Sequence, residues 1–283
     1  MIAKYYWLTK PGIIYGNLLT ASAGFFLASK GVVDWSLFFA TLPGISLVIA
    51  SACVMNNILD RDIDAKMDRT KHRSIVTGEI SRSRAFIFGV ILGILGLIII
   101  ARFTNAYVVG ILILAWVSYV GVYTILKPKT HYATLIGTIP GASPLVAGYL
   151  AVSERIDAGA VILFLILLAW QMAHFYSIAI YRLDEYALAR IPILPIKKGI
   201  IFTKYSIIGY TVLFIILSSL LTLYHYTGYL YLLIMLVVGS IWLWHGVKGL
   251  RTHSDKEWAK KTFKFSLVVL TVFSVTLSIG GII

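Results

Sequence analysis

Nine stretches of this chain are long and apolar enough to cross a bilayer, at approximately 13–29, 38–58, 85–101, 104–126, 132–151, 158–181, 203–223, 227–247 and 265–283. A helix needs about 20 apolar residues to span the hydrocarbon layer, and its backbone polar groups must be satisfied within the segment. The pattern therefore predicts an all-α polytopic membrane protein of about nine transmembrane helices. Hydrophobic residues make up 59% of the sequence, more than a soluble domain carries. The connections are too short for a soluble domain, so residues 1–283 read as one membrane domain. The first span is too long, and too poor in a cleavage signal, to be an ordinary signal peptide.

A formal net charge of +13 raises the question of nucleic acid, but the distribution argues against it. Nine spans place 22 Lys and Arg on one side and only Lys30, Arg102 and Arg155 on the other. Basic residues gather on the cytoplasmic side of membrane proteins. The expected topology has the N-terminus cytoplasmic and the C-terminus outside, in a prokaryotic plasma membrane. The partner implied by composition is the lipid bilayer, not nucleic acid. Cys53, the only cysteine, lies in an apolar run and has no disulfide partner.

The segment from Asn56 to Arg69 sets Asp60, Asp62, Asp64 and Asp68 directly after the second apolar run. If the helix continues, Asn56, Asp60, Asp64 and Asp68 recur every fourth residue and share roughly one face. Two carboxylates ~6 Å apart repel by about 3 kcal/mol at an effective dielectric of ~20. Such a face needs protonation, Arg or Lys partners, or a divalent cation. Oxygen-only ligands favour Mg²⁺, which takes one or two carboxylates and completes its shell with water and phosphate oxygens. The block reads as a magnesium–diphosphate cradle at a membrane surface. A solvated juxtamembrane helix, with Asp60 and Asp64 paired to Arg61 or Lys66, is the alternative.

A second acidic loop, with Asp184 and Glu185, follows the sixth span. Basic side chains accompany both loops, among them Arg69, Lys71, Arg73 and Arg182. Arg and Lys can neutralise the diphosphate oxygens that a metal does not reach. Tyr123 and Lys127 lie one helical turn apart in a third connection on that side. Within the sixth span, Gln171 and His174 share a face beside Trp170, and polar groups at membrane depth normally face a cavity. Pro140 and Pro144 interrupt the fifth span, whose freed backbone groups must find other partners. A transporter or channel is the rival class, but it places charges near mid-membrane, whereas these acids sit at span ends.

Taken together, these motifs resemble the UbiA superfamily of intramembrane prenyltransferases, and within it the heme-modifying branch. The resemblance runs from Leu8-Thr9-Lys10-Pro11-Gly12 through the Asn56–Thr70 block, Tyr119–Tyr123, Thr134–Gly137, Trp170-Gln171-Met172 and Ile191–Pro195 to the Trp258–Phe263 region. The superfamily's Asn-x-x-x-Asp-x-x-x-Asp motif falls on Asn56, Asp60 and Asp64, and its Tyr-x-x-x-Lys element on Tyr123 and Lys127. The resemblance implies a UbiA-like bundle around a central cavity. It also implies farnesyl transfer from farnesyl diphosphate to a vinyl group of heme B, with water addition, giving heme O. Another aromatic acceptor is the alternative.

The resemblance implies Asp60, Asp64 and Lys127 as catalytic residues, with Asn56, Asp60, Asp64, Asp184 and Glu185 as ligands of Mg²⁺. Diphosphate contacts fall on Asn56, Asn57, Arg69, Lys71 and Arg73, and on Tyr123, Lys127 and Arg182. Heme B, a substrate rather than a cofactor, is expected against Trp170, Gln171 and His174, the last as axial ligand or by hydrogen bond; a buried structural histidine is the rival role. The product would pass to a heme-copper oxidase or a heme A synthase. Two positions depart from the family pattern: Ala173 stands where the heme branch often has Pro, and Asp184-Glu185 replaces a second Asp-x-x-x-Asp, with Leu188 at its far end.

Overall fold

The computed structural model describes residues 2–280, which are helical with no strand among them. In chain order the helices are α1 (Ile2–Leu8), α2 (Pro11–Ser29), α3 (Trp35–Leu59), α4 (Arg61–Asp64), α5 (Arg82–Phe103) and α6 (Ala106–Trp116). A π-helical turn, Val117–Tyr123, leads into α7 (Thr124–Leu126), followed by α8 (Ala133–Ile136), α9 (Thr138–Ser153) and α10 (Ala158–Tyr181). The short α11 (Leu183–Leu188) and α12 (Leu194–Lys198) precede α13 (Ile200–Leu223), α14 (Tyr229–Lys248) and α15 (Asp255–Gly280). Among the described residues, nine helical segments are long and apolar enough to cross a membrane. The chain is a multi-pass membrane protein.

Short polar side chains start several of these helices by accepting otherwise orphaned N–H groups. Asp34 accepts from the Leu37 amide at 2.9 Å, Asn105 from Tyr107 at 3.1 Å, and Asp157 from Ala160 at 3.0 Å. The last helix begins at Asp255, earlier than the expected start near 265, because its charged first turns continue the same helix. Residues 281–283 of that expected span lie outside the described residues. Pro144 stays within α9; the interruption expected in the fifth span falls instead at Gly137, between α8 and α9.

Helices α9 and α10 lie deepest, with 61% and 67% of their apolar windows buried, against 17% for α5. They therefore build the cavity wall, while α5 faces lipid. Lipid offers little hydrophobic driving force between helices, so small residues that allow close approach matter. A Cβ at Gly24 would overlap the Leu145 carbonyl, and one at Gly148 the Ala21 carbonyl, which fixes the α2–α9 crossing. The connections at one end are tied together by ion pairs between distant segments. Lys4 meets Glu79 at 2.9 Å, Lys127 meets Asp60 at 2.7 Å, and Lys256 meets Asp184 at 3.2 Å. Arg69 of the first acidic loop stands 4.0 Å from Glu185 of the second, so both acidic loops and the Tyr123–Lys127 connection share one end of the bundle.

Candidate active site

A cavity of about 630 Å³ opens at that end and runs inward between α2, α3, α9 and α10. Its mouth is polar. Helix α3 ends at Leu59, and Asp60 forms a hinge (φ −83°, ψ 0°) into the single turn α4. The continuous helix expected through Asp68 is therefore interrupted, yet Asn56, Asp60 and Asp64 still come together. Asn56 donates to Asp60 Oδ2 at 3.1 Å and to Thr124 Oγ1 at 2.9 Å. Thr124 Oγ1 in turn donates to the Tyr119 carbonyl at 2.8 Å, within the π-helical turn. That turn stacks Tyr119 on Tyr123, centroids 5.5 Å apart, along the cavity wall. Such turns recur at functional sites.

Three cations meet this face. Lys127 Nζ lies 2.7 Å from Asp60 Oδ2, and Arg73 bonds Asp64 and, at 3.0 Å, Asn57 Oδ1. Lys10 Nζ lies 2.5 Å from Asn56 Oδ1. Burial pushes the Lys10 ammonium down to about 8. Burial also disfavours the charge on Lys127, but attraction to Tyr123 and Asp60 outweighs it, and the net direction is upward. Lys10 sits in the left-handed region (φ 56°, ψ 64°) between α1 and α2, a conformation that costs a non-glycine residue roughly 1–2 kcal/mol. The hinge turns its side chain toward the α3 end.

The carboxylates suit a hard cation. Both Asp60 and Asp64 are 2% exposed, and Asp60 Oδ1 is buried without a hydrogen-bond partner. An unpaired buried acceptor costs about 1–3 kcal/mol, a penalty that a cation or its bound water removes. Glu185 Oε2 is the second orphaned carboxylate oxygen; its other oxygen holds Arg182, and Arg69 stands 4.0 Å away. Among the described residues no group of three His, Cys, Asp or Glu forms a ready-made metal cage. Two carboxylates with water and phosphate oxygens is the arrangement Mg²⁺ ordinarily accepts.

Not every residue expected here reaches the site. Asp184 is 79% exposed at its side chain and pairs with Lys256; Glu185 does not line the cavity either, and meets it through Arg182 and Arg69, which do. Lys71 is engaged with Asp68 at 2.6 Å on the surface, away from the cavity. Asn57 is buried behind the mouth, donating to the Leu8 carbonyl at 2.8 Å while accepting from Arg73, and so positions rather than lines. Arg69, Arg73, Tyr123, Lys127 and Arg182, expected as diphosphate contacts, line the cavity. Lys10 and Thr124 were not expected. A lysine directly before the Pro that opens the first span was the available signal for Lys10.

The inner half is apolar and aromatic, lined by Trp116, Leu167, Phe175, Phe263 and Leu270. Trp170, Gln171 and His174 lie there together on α10. Gln171 donates to the Thr138 carbonyl, at the α8–α9 break, and to the Leu167 carbonyl one turn earlier in its own helix, at 3.1 Å each. His174 stacks on Trp170 with centroids 4.6 Å apart. It lies seven residues from the α10 end, about 10 Å below the mouth at 1.5 Å per residue.

An all-helical membrane bundle with a cation-lined acidic mouth over an apolar, aromatic cavity is the architecture of an intramembrane transferase. The chain belongs to the UbiA prenyltransferase family, whose model matches residues 17–268. It is 48% identical over 277 residues to the protoheme IX farnesyltransferase of Protochlamydia amoebophila, covering 98% of each chain. It is also 48% identical over 280 residues to that of Photorhabdus laumondii, covering 99% of this chain and 95% of that one. Among solved structures, a digeranylgeranylglyceryl phosphate synthase superimposes with a TM-score of 0.84 at 23% identity, over 99% of this chain and 98% of that one. A UbiA homolog from Archaeoglobus fulgidus bound to DMAPP and Mg²⁺ superimposes with a TM-score of 0.75 at 16% identity, over 98% and 99% of the two chains.

Proposed function

We propose that this chain transfers a farnesyl group from farnesyl diphosphate to a vinyl group of protoheme IX (heme B), with addition of water, giving heme O and diphosphate. The carrying observation is the 48% identity, along nearly the whole chain, to proteins named for that reaction. A cavity with one polar end and one aromatic end supports it, because both substrates are amphipathic. In this reading residues 1–283 form one domain in a prokaryotic plasma membrane. The mouth faces the cytoplasm, in keeping with 22 basic residues on that side against 3 on the other. Heme O would pass to a heme-copper oxidase or a heme A synthase.

Asn56, Asp60 and Asp64, which line the cavity, would hold Mg²⁺, and Glu185 would hold Arg182 and Arg69 toward the diphosphate. When bound, the ion supplies positive charge to the departing diphosphate. Lys127, Arg73 and Lys10 bring cations to the diphosphate oxygens, and Arg69 and Arg182 close over it from the loops. Donors already fixed where negative charge develops favour ionisation of the allylic C–O bond. The π faces of Tyr119, Tyr123 and Trp116 line the path of the resulting cation and stabilise it without trapping it. The porphyrin vinyl group then attacks, forming the C–C bond, and water captures the cation left on the porphyrin side chain. The apolar inner wall keeps water from the first cation. His174 and Trp170 contact the porphyrin, with Gln171 alongside.

Acceptor competition tests the reading. Purified protein given farnesyl diphosphate, Mg²⁺ and an equimolar mixture of heme B, a chlorin and an aromatic acid is expected to prenylate heme B. Prenylation of the aromatic acid or chlorin instead would contradict it.

A further inference from the structure

Ser266, on α15, holds two side chains of α10 at once. Its carbonyl accepts the Trp170 indole N–H at 2.8 Å, and its Oγ lies 2.6 Å from His174 Nδ1. The same Oγ lies 2.6 Å from the Phe263 carbonyl, one turn earlier in α15. Serine has a single hydroxyl proton. Two oxygens at 2.6 Å fall within the O–H···O range of about 2.5–3.0 Å and would repel with no proton between them. The proton therefore points to Phe263, and Ser266 Oγ meets His174 as an acceptor.

The hydrogen then belongs to His174 Nδ1, and a neutral imidazole so arranged carries its lone pair on Nε2. The ring's neighbours are Trp170, Phe175 and Phe263, with no carboxylate among them to hold an imidazolium. Among the described residues the ring makes a hydrogen bond at Nδ1 only, and His174 lines the cavity. A histidine whose distal N–H is held by a fixed acceptor is the usual form of a metal-bound imidazole.

We propose that Ser266 is a positioning residue that holds His174 as the Nδ1–H tautomer, so that Nε2 serves as axial ligand to the iron of the bound porphyrin. The proposal rests on the reading that His174 contacts heme, and deepens it by choosing ligation over a hydrogen bond to the substrate. Trp170, held by the same residue, stacks on the imidazole and limits its rotation about the side-chain bond.

The test compares wild type with Ser266→Ala, Ser266→Thr and His174→Ala in detergent. Nitrogen-15 spectra of histidine-labelled protein, without heme, read the tautomer directly, with His174→Ala identifying the signal. Wild type is expected to show the Nδ1–H form and Ser266→Ala a shift toward Nε2–H. Titration with ferric protoheme IX is expected to weaken about tenfold or more in Ser266→Ala, the scale seen when a metal ligand loses its supporting hydrogen bond. Metal-free protoporphyrin IX should bind both proteins alike, and Ser266→Thr, which keeps the hydroxyl, should restore ferric heme binding. Wild-type tautomer and heme titration in Ser266→Ala, or equal loss of ferric and metal-free porphyrin, would overturn the positioning role alone. A wild-type heme spectrum in His174→Ala would overturn the heme-contact reading and the ligand role with it.

Discussion

Lys127 and Asp60 meet at 2.7 Å across 67 residues of chain, and Asp60 keeps its second oxygen buried and unpartnered. One carboxylate is thus held by a cation on one side and open on the other. A residue serving only as half of a salt bridge has no use for that second oxygen. A residue that also binds a metal does.

Asp60→Asn and Asp64→Asn are expected to lower heme O formation by about 100-fold or more, the scale of losing a group that stabilises developing charge. The neutral amides keep size and shape, so the protein should still insert and elute as wild type in size exclusion. Near-normal turnover of either variant at limiting Mg²⁺ would rule out the metal assignment.

Lys127→Ala and Lys10→Met should each raise KM for farnesyl diphosphate while leaving porphyrin binding within about twofold, because an ammonium acts on phosphate as a point charge. Steady-state kinetics with each substrate varied, together with a heme titration, separates the two effects. Equal loss of both substrates in a folded variant would count against a diphosphate role.

Much of this site is legible in the sequence. Asn56, Asp60 and Asp64 are spaced four apart, and that spacing survived the end of α3 at Leu59 because α4 adds one more helical turn. Asp68 did not share the face: the backbone leaves the helix after Asp64, and the Asp68 side chain ends 83% exposed beside Lys71. The choice between Asp184 and Glu185 was hidden, since Lys256, 72 residues away, draws Asp184 outward. Lys10 was hidden for a similar reason: its reach to Asn56 depends on a left-handed hinge that no glycine marks. The π-helical turn at Val117–Tyr123 carries no proline, and tertiary contacts through Thr124 and Asn56 stabilise it.

The α2–α9 crossing is expected to be intolerant of side chains. Gly148→Val places atoms against the Ala21 carbonyl, which belongs to a helix backbone and cannot swing aside. Overpacking of this kind costs about 1–3 kcal/mol, read as a lowered Tm in detergent. Gly110→Ala, at a helical position open to a Cβ, serves as the control and should not lower Tm.

Single cysteines placed in the loops at 60–84, 182–202 and 248–264 of a Cys53→Ser background should all label from the cytoplasmic side. Arg69 stands 4.0 Å from Glu185, which links the first loop to the second, and Lys256 pairs with Asp184, which links the second to the third, so these loops share one face. Periplasmic labelling of any one of them would overturn the orientation.

The most direct measurement is product analysis by mass spectrometry. Membranes containing wild-type protein or Asp60→Asn would be incubated with heme B, farnesyl diphosphate and Mg²⁺, and the extracted hemes weighed. Wild type is expected to yield heme B with one vinyl group converted to a hydroxyethylfarnesyl group, a gain of one farnesyl and one hydroxyl, and Asp60→Asn almost none. Unchanged heme B with the folded wild-type protein, or equal product from both, would contradict farnesyl transfer to heme at this site.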